Sequence, residues 1–309
     1  MRIHRLLIVT FLGTFLGACG GGSDATTTPD AAEKDIGFKR PTAPLKANME
    51  VSEDTWMELG PADFTCLNTA SADLATQVPV VLSTVVRDFQ TDNLVPNTSV
   101  TVFHDQDIQT PFDTKTADGS AAIAFDLPVG TRRFGYKMVD SSSMDTLLLN
   151  QKVDSAIPAQ TEVSIRTVSK STAQTLPALI GISRTPGSGV LAGLMRDCKA
   201  REMSNFVATV TTNQARTADD IVHAPGADSY YFAASVGLPV RHNQKPMASE
   251  DGLFMIVELS PSPIAYVQVW GYVDDAALAA DDLKLVAELE TQVIADTVIT
   301  GSYEPLRTP

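Results

Sequence analysis

Few histidine and serine side chains of this 309-residue sequence could carry out hydrolysis, and their spacing matches no hydrolase motif. Beyond residue 18 the histidines are His104, His223 and His242, and none belongs to an HxxE or HExxH pattern of the kind that binds Zn²⁺. The sequence also lacks GxSxG and SxxK, the signatures of serine nucleophiles. We therefore predict a protein that is not an enzyme, with no metal and no cofactor.

Two stretches carry residues that could bind a ligand instead. His104-Asp105-Gln106-Asp107 offers oxygen ligands, but Ca²⁺ takes about six to eight and no EF-hand loop follows, which favours a solvated loop. Residues 241–245 are the cationic stretch of an acidic chain, and loops often carry binding residues. A solvated loop is the alternative there too. The candidate ligand-binding residues are Tyr231, Arg241, His242, Asn243 and Lys245.

Aromatic residues near that stretch allow two interpretations. Tyr230, Tyr231, Phe232 and Trp270 could form a platform that stacks on the apolar face of a sugar. Alternate residues of a strand face opposite sides, so Tyr230 and Phe232 would share one face and Tyr231 would take the other. This pattern favours core packing and leaves the platform as the alternative.

The N-terminus carries an export signal. Arg2 and Arg5 precede an apolar segment, residues 6–18, that is too short as a helix to cross a hydrocarbon core about 30 Å thick. A basic start, an apolar run of this length and small residues before the cut are typical of a signal peptide, here residues 1–18. Leu16-Gly17-Ala18-Cys19 resembles the bacterial lipobox, which implies cleavage before Cys19 and lipidation of its sulfur.

The lipobox resemblance also implies a location. Acyl chains contribute about 0.8 kcal/mol per buried CH₂, so a multiply acylated Cys19 would hold the chain on a membrane without a spanning helix. In lipoproteins with this motif, Asp directly after the lipidated Cys favours retention in the inner membrane, and this chain has Gly20 at that position. We therefore expect a cell-envelope lipoprotein of the outer membrane, facing either the periplasm or the exterior.

Composition excludes other partners and leaves two cysteines to pair. A formal net charge of −14 disfavours nucleic acid, whose binding requires neutralised phosphates. With Cys19 assigned to the lipid, Cys66 and Cys198 remain as an even pair in an oxidising compartment, which predicts a disulfide. Two separate buried thiols are the alternative.

Segments along the chain differ in composition. Residues 19–50 are rich in Gly, Thr, Ala and Pro and predict a flexible tether, and residues 51–75 predict an N-terminal extension that packs on the first domain. Short β-branched runs punctuated by Gly, Pro, Asn and Asp then predict antiparallel β-sandwiches. The predicted domains are residues 76–172 and 173–309.

The same punctuation occurs twice, which indicates two copies of one domain. Arg87-Asp88 matches Arg196-Asp197, and Asp118-Gly119 matches Asp251-Gly252. The second copy differs by an insertion, residues 216–247, and by apolar spacing that predicts a helix over residues 275–289, capped by Asp274 or Asp275.

These runs resemble carboxypeptidase-regulatory-like domains, also called transthyretin-like or prealbumin-like. The resemblance rests on VVRDFQTDNLVPNTSVTVF followed by TKTADGSAAIAFDLPVG, and more weakly on GVLAGLMRDCKAREMSNFVATV with MASEDGLFMIVELSPS. It implies an all-β fold of two tandem antiparallel sandwiches. The chain departs from the family pattern where Asn97 and Asn205 replace the usual Gly. Both Asp-Gly dipeptides are expected to form hairpin turns, because Gly adopts positive φ without a Cβ clash.

The leading functional hypothesis is a non-catalytic binding or structural role at the envelope, with polysaccharide binding or adhesion as one form. The alternative is a scaffold subunit of an envelope protein complex, and an enzyme of unknown type ranks last. A binding module should expose aromatic residues near the insertion. A scaffold should expose a contiguous apolar patch or an open strand edge.

Overall fold

The computed structural model describes residues 36–52, 55–89, 91–157, 159–161, 165–173, 184–235 and 237–308, and it is nearly all β-structure. The predicted signal peptide, Cys19 and the first part of the predicted tether lie outside the described residues. Within those ranges, no helix is long and apolar enough to span a membrane. The N-terminal segment contributes β1 (Lys46–Ser52), β2 (Thr55–Pro61) and β3 (Thr69–Ala70).

The first sandwich is formed by β4 (Val80–Asp88), β5 (Ser99–His104), β6 (Pro111–Thr116), β7 (Ala122–Leu127), β8 (Arg133–Val139), β9 (Ser143–Lys152), β10 (Ala159–Thr161) and β11 (Ile165–Ser169). β5 pairs antiparallel with β6 and β8, and β8 pairs with β9. β4 pairs antiparallel with β7 and parallel with β10 and β11. Buried and accessible residues alternate along β4, so one side chain in two, such as Leu82, enters the core that Phe125 and Tyr136 share.

The second sandwich is formed by β12 (Gly189–Met195), β13 (Glu202–Ser204), β14 (Val207–Thr211), β15 (Asp228–Ala233), β16 (Leu238–Arg241), β17 (Leu253–Leu259), β18 (Ser262–Gly271), β19 (Lys284–Val293), β20 (Thr297–Tyr303) and β21 (Arg307–Thr308). One sheet has the order β14-β18-β19, and the other contains β20-β12-β17-β15-β16. Their inner faces bury a core that includes Phe206, Phe254 and Val267.

Strand pairing repeats between the two sandwiches. β4 lies between antiparallel β7 and parallel β11, and β12 lies in the same way between β17 and β20. The order β5-β8-β9 recurs as β14-β18-β19. Asn97 and Asn205 have φ of 62° and 69°, the left-handed region that Gly and Asn tolerate best. The expected tandem all-β sandwiches are therefore present, and each also contains parallel pairing, β4 with β10 and β11 in the first and β12 with β20 in the second.

The two sandwiches share hydrogen-bonded sheet. β9 of the first runs parallel to β20 of the second, in register from Asp145 opposite Thr297 to Leu149 opposite Gly301. β9 also pairs with β8 on its other side, so it belongs to both units. The sequence carries no signal for this pairing, because parallel partners from different repeats leave no local pattern.

The N-terminal segment lies on the second sandwich rather than hanging as a tether. β1 pairs antiparallel with β13, and Leu45, which is 1% exposed, packs in the second core. The predicted flexible tether over 19–50 is therefore wrong for residues 36–50. The predicted Cys66–Cys198 disulfide is confirmed, with its Cα atoms 5.7 Å apart. It ties the extension to the second sandwich, as expected.

Two local predictions are corrected. The helix predicted over 275–289 is limited to α1 (Asp275–Ala279), capped by Asp274, whose carboxylate accepts from the backbone N–H of Ala277 at 2.7 Å. Lys284–Val293 is strand β19, because tertiary pairing with β18 overrides local apolar spacing. The Asp-Gly dipeptides are not hairpin turns, since β6 pairs with β5 whereas β7 pairs with β4, and β17 pairs with β12 and β15.

Candidate functional site

The five predicted ligand-binding residues lie on β15, on β16 and in the loop after it, and one of them is a core residue. Tyr231 is 0% exposed, its hydroxyl oxygen accepts a hydrogen bond from the N–H of Ala208 at 3.0 Å, and its ring lies edge-on to Phe206. Burial raises the pKa of this phenol far above its ordinary value. Tyr231 therefore stabilises the second sandwich and is not accessible to a ligand.

A buried aspartate holds the next two candidates. The Arg241 guanidinium lies 3.0 Å from the Asp228 carboxylate, and the Nε2 of His242 lies 3.2 Å from its other oxygen. His242 is 2% exposed, and its ring packs against the backbone of Gly37. This cluster fastens β15, β16 and the N-terminal segment together. Of the five candidates, Asn243 is exposed and Lys245 half-buried, and a ligand there remains a prediction.

The remaining aromatic residues form no accessible sugar platform. Tyr230 and Trp270 are fully buried, and Phe232 is partly buried against the cluster around Tyr230. Trp270 lies edge-on to Phe38, which the N-terminal segment supplies. Core packing was the favoured interpretation of these residues, and the structure places them there.

An exposed apolar surface occurs on the β1–β2 hairpin. Met49 lies directly opposite Met57, and Val51 and Leu59 follow them along the two strands, at the positions where the register shifts. These four side chains are between 39% and 50% exposed. The opposite face carries Trp56, which is partly buried opposite Glu50, together with Lys46 and Glu58, which form an ion pair at 3.5 Å. The hairpin thus exposes apolar side chains to solvent around Met49 and Met57.

The same hairpin has open edges. β13 pairs with β1 only from Lys46 to Asn48, and no described strand pairs with the outer edge of β2. The predicted tether over residues 19–50 and extension over residues 51–75 divided this hairpin between two segments, so the surface was not predicted. The alternation of Met49 and Val51, and of Met57 and Leu59, was the signal that could have found it.

A polar cleft lies where the extension meets the first sandwich. It has a volume of about 300 Å³ and is lined by Ser71 and Asp73, by His104 and Asp105 after β5, and by the β7–β8 loop with Gly130, Arg132 and Arg133. Arg133 forms ion pairs with Asp73 at 2.6 Å and with the second sandwich's Glu304 at 3.1 Å. Lys152 also reaches Glu304, at 2.9 Å. The cleft therefore has a fixed floor built from three parts of the chain.

The stretch His104 to Asp107 forms the loop that sequence analysis favoured over a metal site. The Asp107 carboxylate accepts from the N–H of Gln109 at 3.1 Å and from the Thr110 hydroxyl, which closes a tight turn. These bonds hold the pKa of Asp107 below its ordinary value. In the described ranges, no three His, Cys, Asp or Glu side chains are arranged to hold a metal ion.

Comparison with known proteins gives weak similarity to two pilins and to the Bacillus anthracis TIE protein. No protein-family model matches the chain, and no curated protein matches it. Among solved structures, the Bacillus anthracis TIE protein is 10% identical with a TM-score of 0.24, over 74% of this chain and 34% of that one. The shaft pilin SpaA of Lactobacillus rhamnosus GG is 11% identical with a TM-score of 0.21, over 75% and 98%. GBS52, the minor pilin of Streptococcus agalactiae, is 10% identical with a TM-score of 0.20, over 74% and 98%.

Proposed function

We propose that this chain is a lipid-anchored protein of the bacterial cell envelope with a non-catalytic, structural role, and that it contacts another protein through the β1–β2 hairpin. The observation that carries the contact is the exposed apolar face around Met49 and Met57 on a hairpin with open edges. The lipobox-like sequence ending in Cys19 supports the anchor, and Gly20 favours the outer membrane.

Physical chemistry supports a partner for this hairpin. A two-stranded ribbon is marginally stable in water unless a further strand or a packed face supports it. An open edge also presents unpaired N–H and C=O groups that can pair with an incoming strand. Around Met49 and Met57, neither a further strand nor a packed face from the described residues supports the ribbon. A partner's strand or surface would bury these exposed apolar side chains.

A binding module acting through the insertion has less support. The aromatic residues that such a module would expose, Tyr230, Tyr231 and Trp270, are fully buried. Asn243 and Lys245 alone offer a ligand two flexible polar groups and no apolar contact area. Of the two discriminating features, the apolar open edge is present and the exposed aromatic platform is absent from the described residues, which favours the scaffold.

The contact can be tested by replacing Met57 with a photo-crosslinking amino acid in the full-length lipoprotein, in cells. Ile264 is the matched control position, because it is equally strand-borne and 51% exposed on β18. We expect one discrete adduct at position 57, lost when Leu59→Glu is added, and none at position 264. An adduct of twice the chain's mass would identify the partner as a second copy. Equal adducts at both positions, or none at position 57, would contradict the contact.

The anchor is tested separately. Cys19→Ala should leave an uncleaved or soluble protein that does not incorporate labelled palmitate, whereas Cys66→Ala should still incorporate it. Palmitate labelling that is unchanged in Cys19→Ala would rule out lipidation at this thiol. The result does not depend on the hairpin, so the two halves of the proposal can fail independently.

A further inference from the structure

Arg132 on the rim of the polar cleft is unusual in this acidic chain. Each of the other arginines in the described ranges forms an ion pair or a hydrogen bond, for example Arg87 with Asp92 and Arg216 with Glu288. Arg132, exposed at the mouth of the cleft, forms neither. With 37 acidic residues and 23 basic ones in the chain, the guanidinium donors of Arg132 remain available although carboxylates are abundant.

Asp105 lies in the same cleft with an available acceptor. Its backbone N–H donates to the carbonyl of Arg133 at 3.1 Å, and this bond fixes its position at the end of β5. Its carboxylate takes part in no hydrogen bond within the described chain, in contrast to that of Asp107 two residues later. Desolvation by the cleft raises the pKa of Asp105 above its ordinary value. The cleft thus holds both a donor fork and an acceptor that form no hydrogen bond to another side chain of the described residues.

The charges around the cleft cancel. Three cations and three carboxylates face it or bind its floor, and the ion pairs between Arg133, Asp73, Glu304 and Lys152 neutralise four of the six. Arg132 and Asp105 are the remaining pair. A balanced cleft on a chain of net charge −14 does not favour an anion, and it suits a neutral ligand that both accepts from a guanidinium and donates to a carboxylate.

We infer that this cleft binds one neutral, hydroxyl-rich sugar unit, whose hydroxyls donate to Asp105 and accept from Arg132. A volume of about 300 Å³ is the size of a small ligand pocket and accommodates a single pyranose ring. The His104 ring borders the same cleft and is held edge-on by Phe112, with the ring centroids 4.0 Å apart. The inference goes beyond the hairpin contact, since the two surfaces share no residue.

The test uses saturation-transfer NMR and calorimetry on the disulfide-bonded protein with methyl glycosides of glucose, galactose, mannose and N-acetylglucosamine. We expect at least one to bind with a Kd of about 10 mM or tighter, the range of a few hydrogen bonds. Arg132→Gln and Asp105→Asn should each weaken it about tenfold, the usual effect of losing a hydrogen bond to a charged group. Arg216→Gln and Asp126→Asn are the matched controls outside the cleft and should leave the Kd unchanged.

Stability separates a binding effect from misfolding. Arg132 forms no hydrogen bond or ion pair within the described residues, so Arg132→Gln should keep the wild-type melting temperature. Asp105→Asn should keep or raise it at neutral pH, because desolvation raises the pKa of that carboxyl and its ionised form is disfavoured in the fold. The inference fails if none of the four glycosides binds, if the cleft variants bind as the wild type does, or if only galacturonate or inorganic phosphate binds. The last result would show an anion site instead. None of these outcomes affects the crosslink at Met57.

Discussion

The two sandwiches share one pairing pattern but differ in how completely other parts of the chain cover them. The second carries β1, the Cys66–Cys198 disulfide and the inserted strands β15 and β16, and its core extends to Leu45 of the N-terminal segment. The first carries none of these additions. A repeated frame can therefore stay the same while additions decide which copy is closed to water.

One equivalent residue pair shows the consequence. Asp118 and Asp251 occupy the same place in the repeat, before β7 and β17. The Asp118 carboxylate is bonded by the Ser120 hydroxyl and two backbone N–H groups, and these bonds lower its pKa. Asp251 is 5% exposed, and burial raises its pKa to about 7. The same side chain is thus an exposed cap in one copy and a buried acid in the other.

The largest expected effect tests whether the copies unfold together. Phe125 and Phe254 are core rings of the corresponding strands β7 and β17, each 1% exposed. We expect Phe125→Ala and Phe254→Ala each to lower the free energy of unfolding by about 3–5 kcal/mol. Because β9 pairs with β20, both changes should shift one common transition in urea, followed by intrinsic fluorescence and circular dichroism.

Two separate transitions, each moved by only one of the substitutions, would break this part of the comparison. They would mean that the β9–β20 pairing does not couple the sandwiches. Val81→Ala is the control, since Val81 lies on β4 but is 41% exposed and should change stability little.

The next effect belongs to the second sandwich alone. Cys66→Ala with Cys198→Ala removes a link across 132 residues and should cost about 2–5 kcal/mol, mainly by enlarging the unfolded ensemble. Hydrogen exchange should rise at β1 and β13 and stay unchanged at β5 and β8. Equal deprotection of both sandwiches would show that the covering segment stabilises the whole molecule.

Local pattern was enough to predict the frame. Short β-branched runs and the recurrence of Arg-Asp and Asp-Gly indicated strands and a repeat, because each signal lies within one element or one turn. The disulfide followed from counting thiols. The helix over 275–289 failed because pairing with β18 overrides the helical spacing of Leu283, Val286 and Leu289.

Sites were predicted less well, because burial depends on distant segments. Tyr231 and His242 were candidates for binding, but the Phe206 ring and Gly37 cover them. The polar cleft combines residues near 71, 104, 132 and 304, which no spacing along the chain connects. Such a site can be found only once the positions of the N-terminal extension and the two sandwiches are known.

A smaller effect depends on pH and should have opposite signs in the two copies. The folded pKa of Asp251, about 7, exceeds the unfolded value of 3.8, so stability falls as pH rises between them. Asp251→Asn should therefore stabilise the protein by about 2–4 kcal/mol at about pH 8, and the gain should shrink near pH 4. Asp118→Asn should destabilise it at about pH 8, since a lowered pKa contributes stability above 3.8. Unfolding free energies in urea across this range check both, and equal signs at pH 8 would refute the contrast.

The smallest effect sharpens the comparison at the two left-handed asparagines. Both adopt positive φ, but only Asn205 is also a linker, donating from its side chain to the carbonyl of Pro44 at 2.8 Å. Asn97→Gly should change the free energy of unfolding by less than about 0.5 kcal/mol, because Gly adopts this φ without strain. Asn205→Gly should cost about 1 kcal/mol, the usual net value of one hydrogen bond. Chemical denaturation of both variants measures the difference. A larger loss of stability in Asn97→Gly than in Asn205→Gly would contradict this prediction. It would mean that the Asn205 hydrogen bond does not hold the N-terminal segment on the second sandwich. The disulfide and the pairing of β1 with β13 would then account for the difference between the copies.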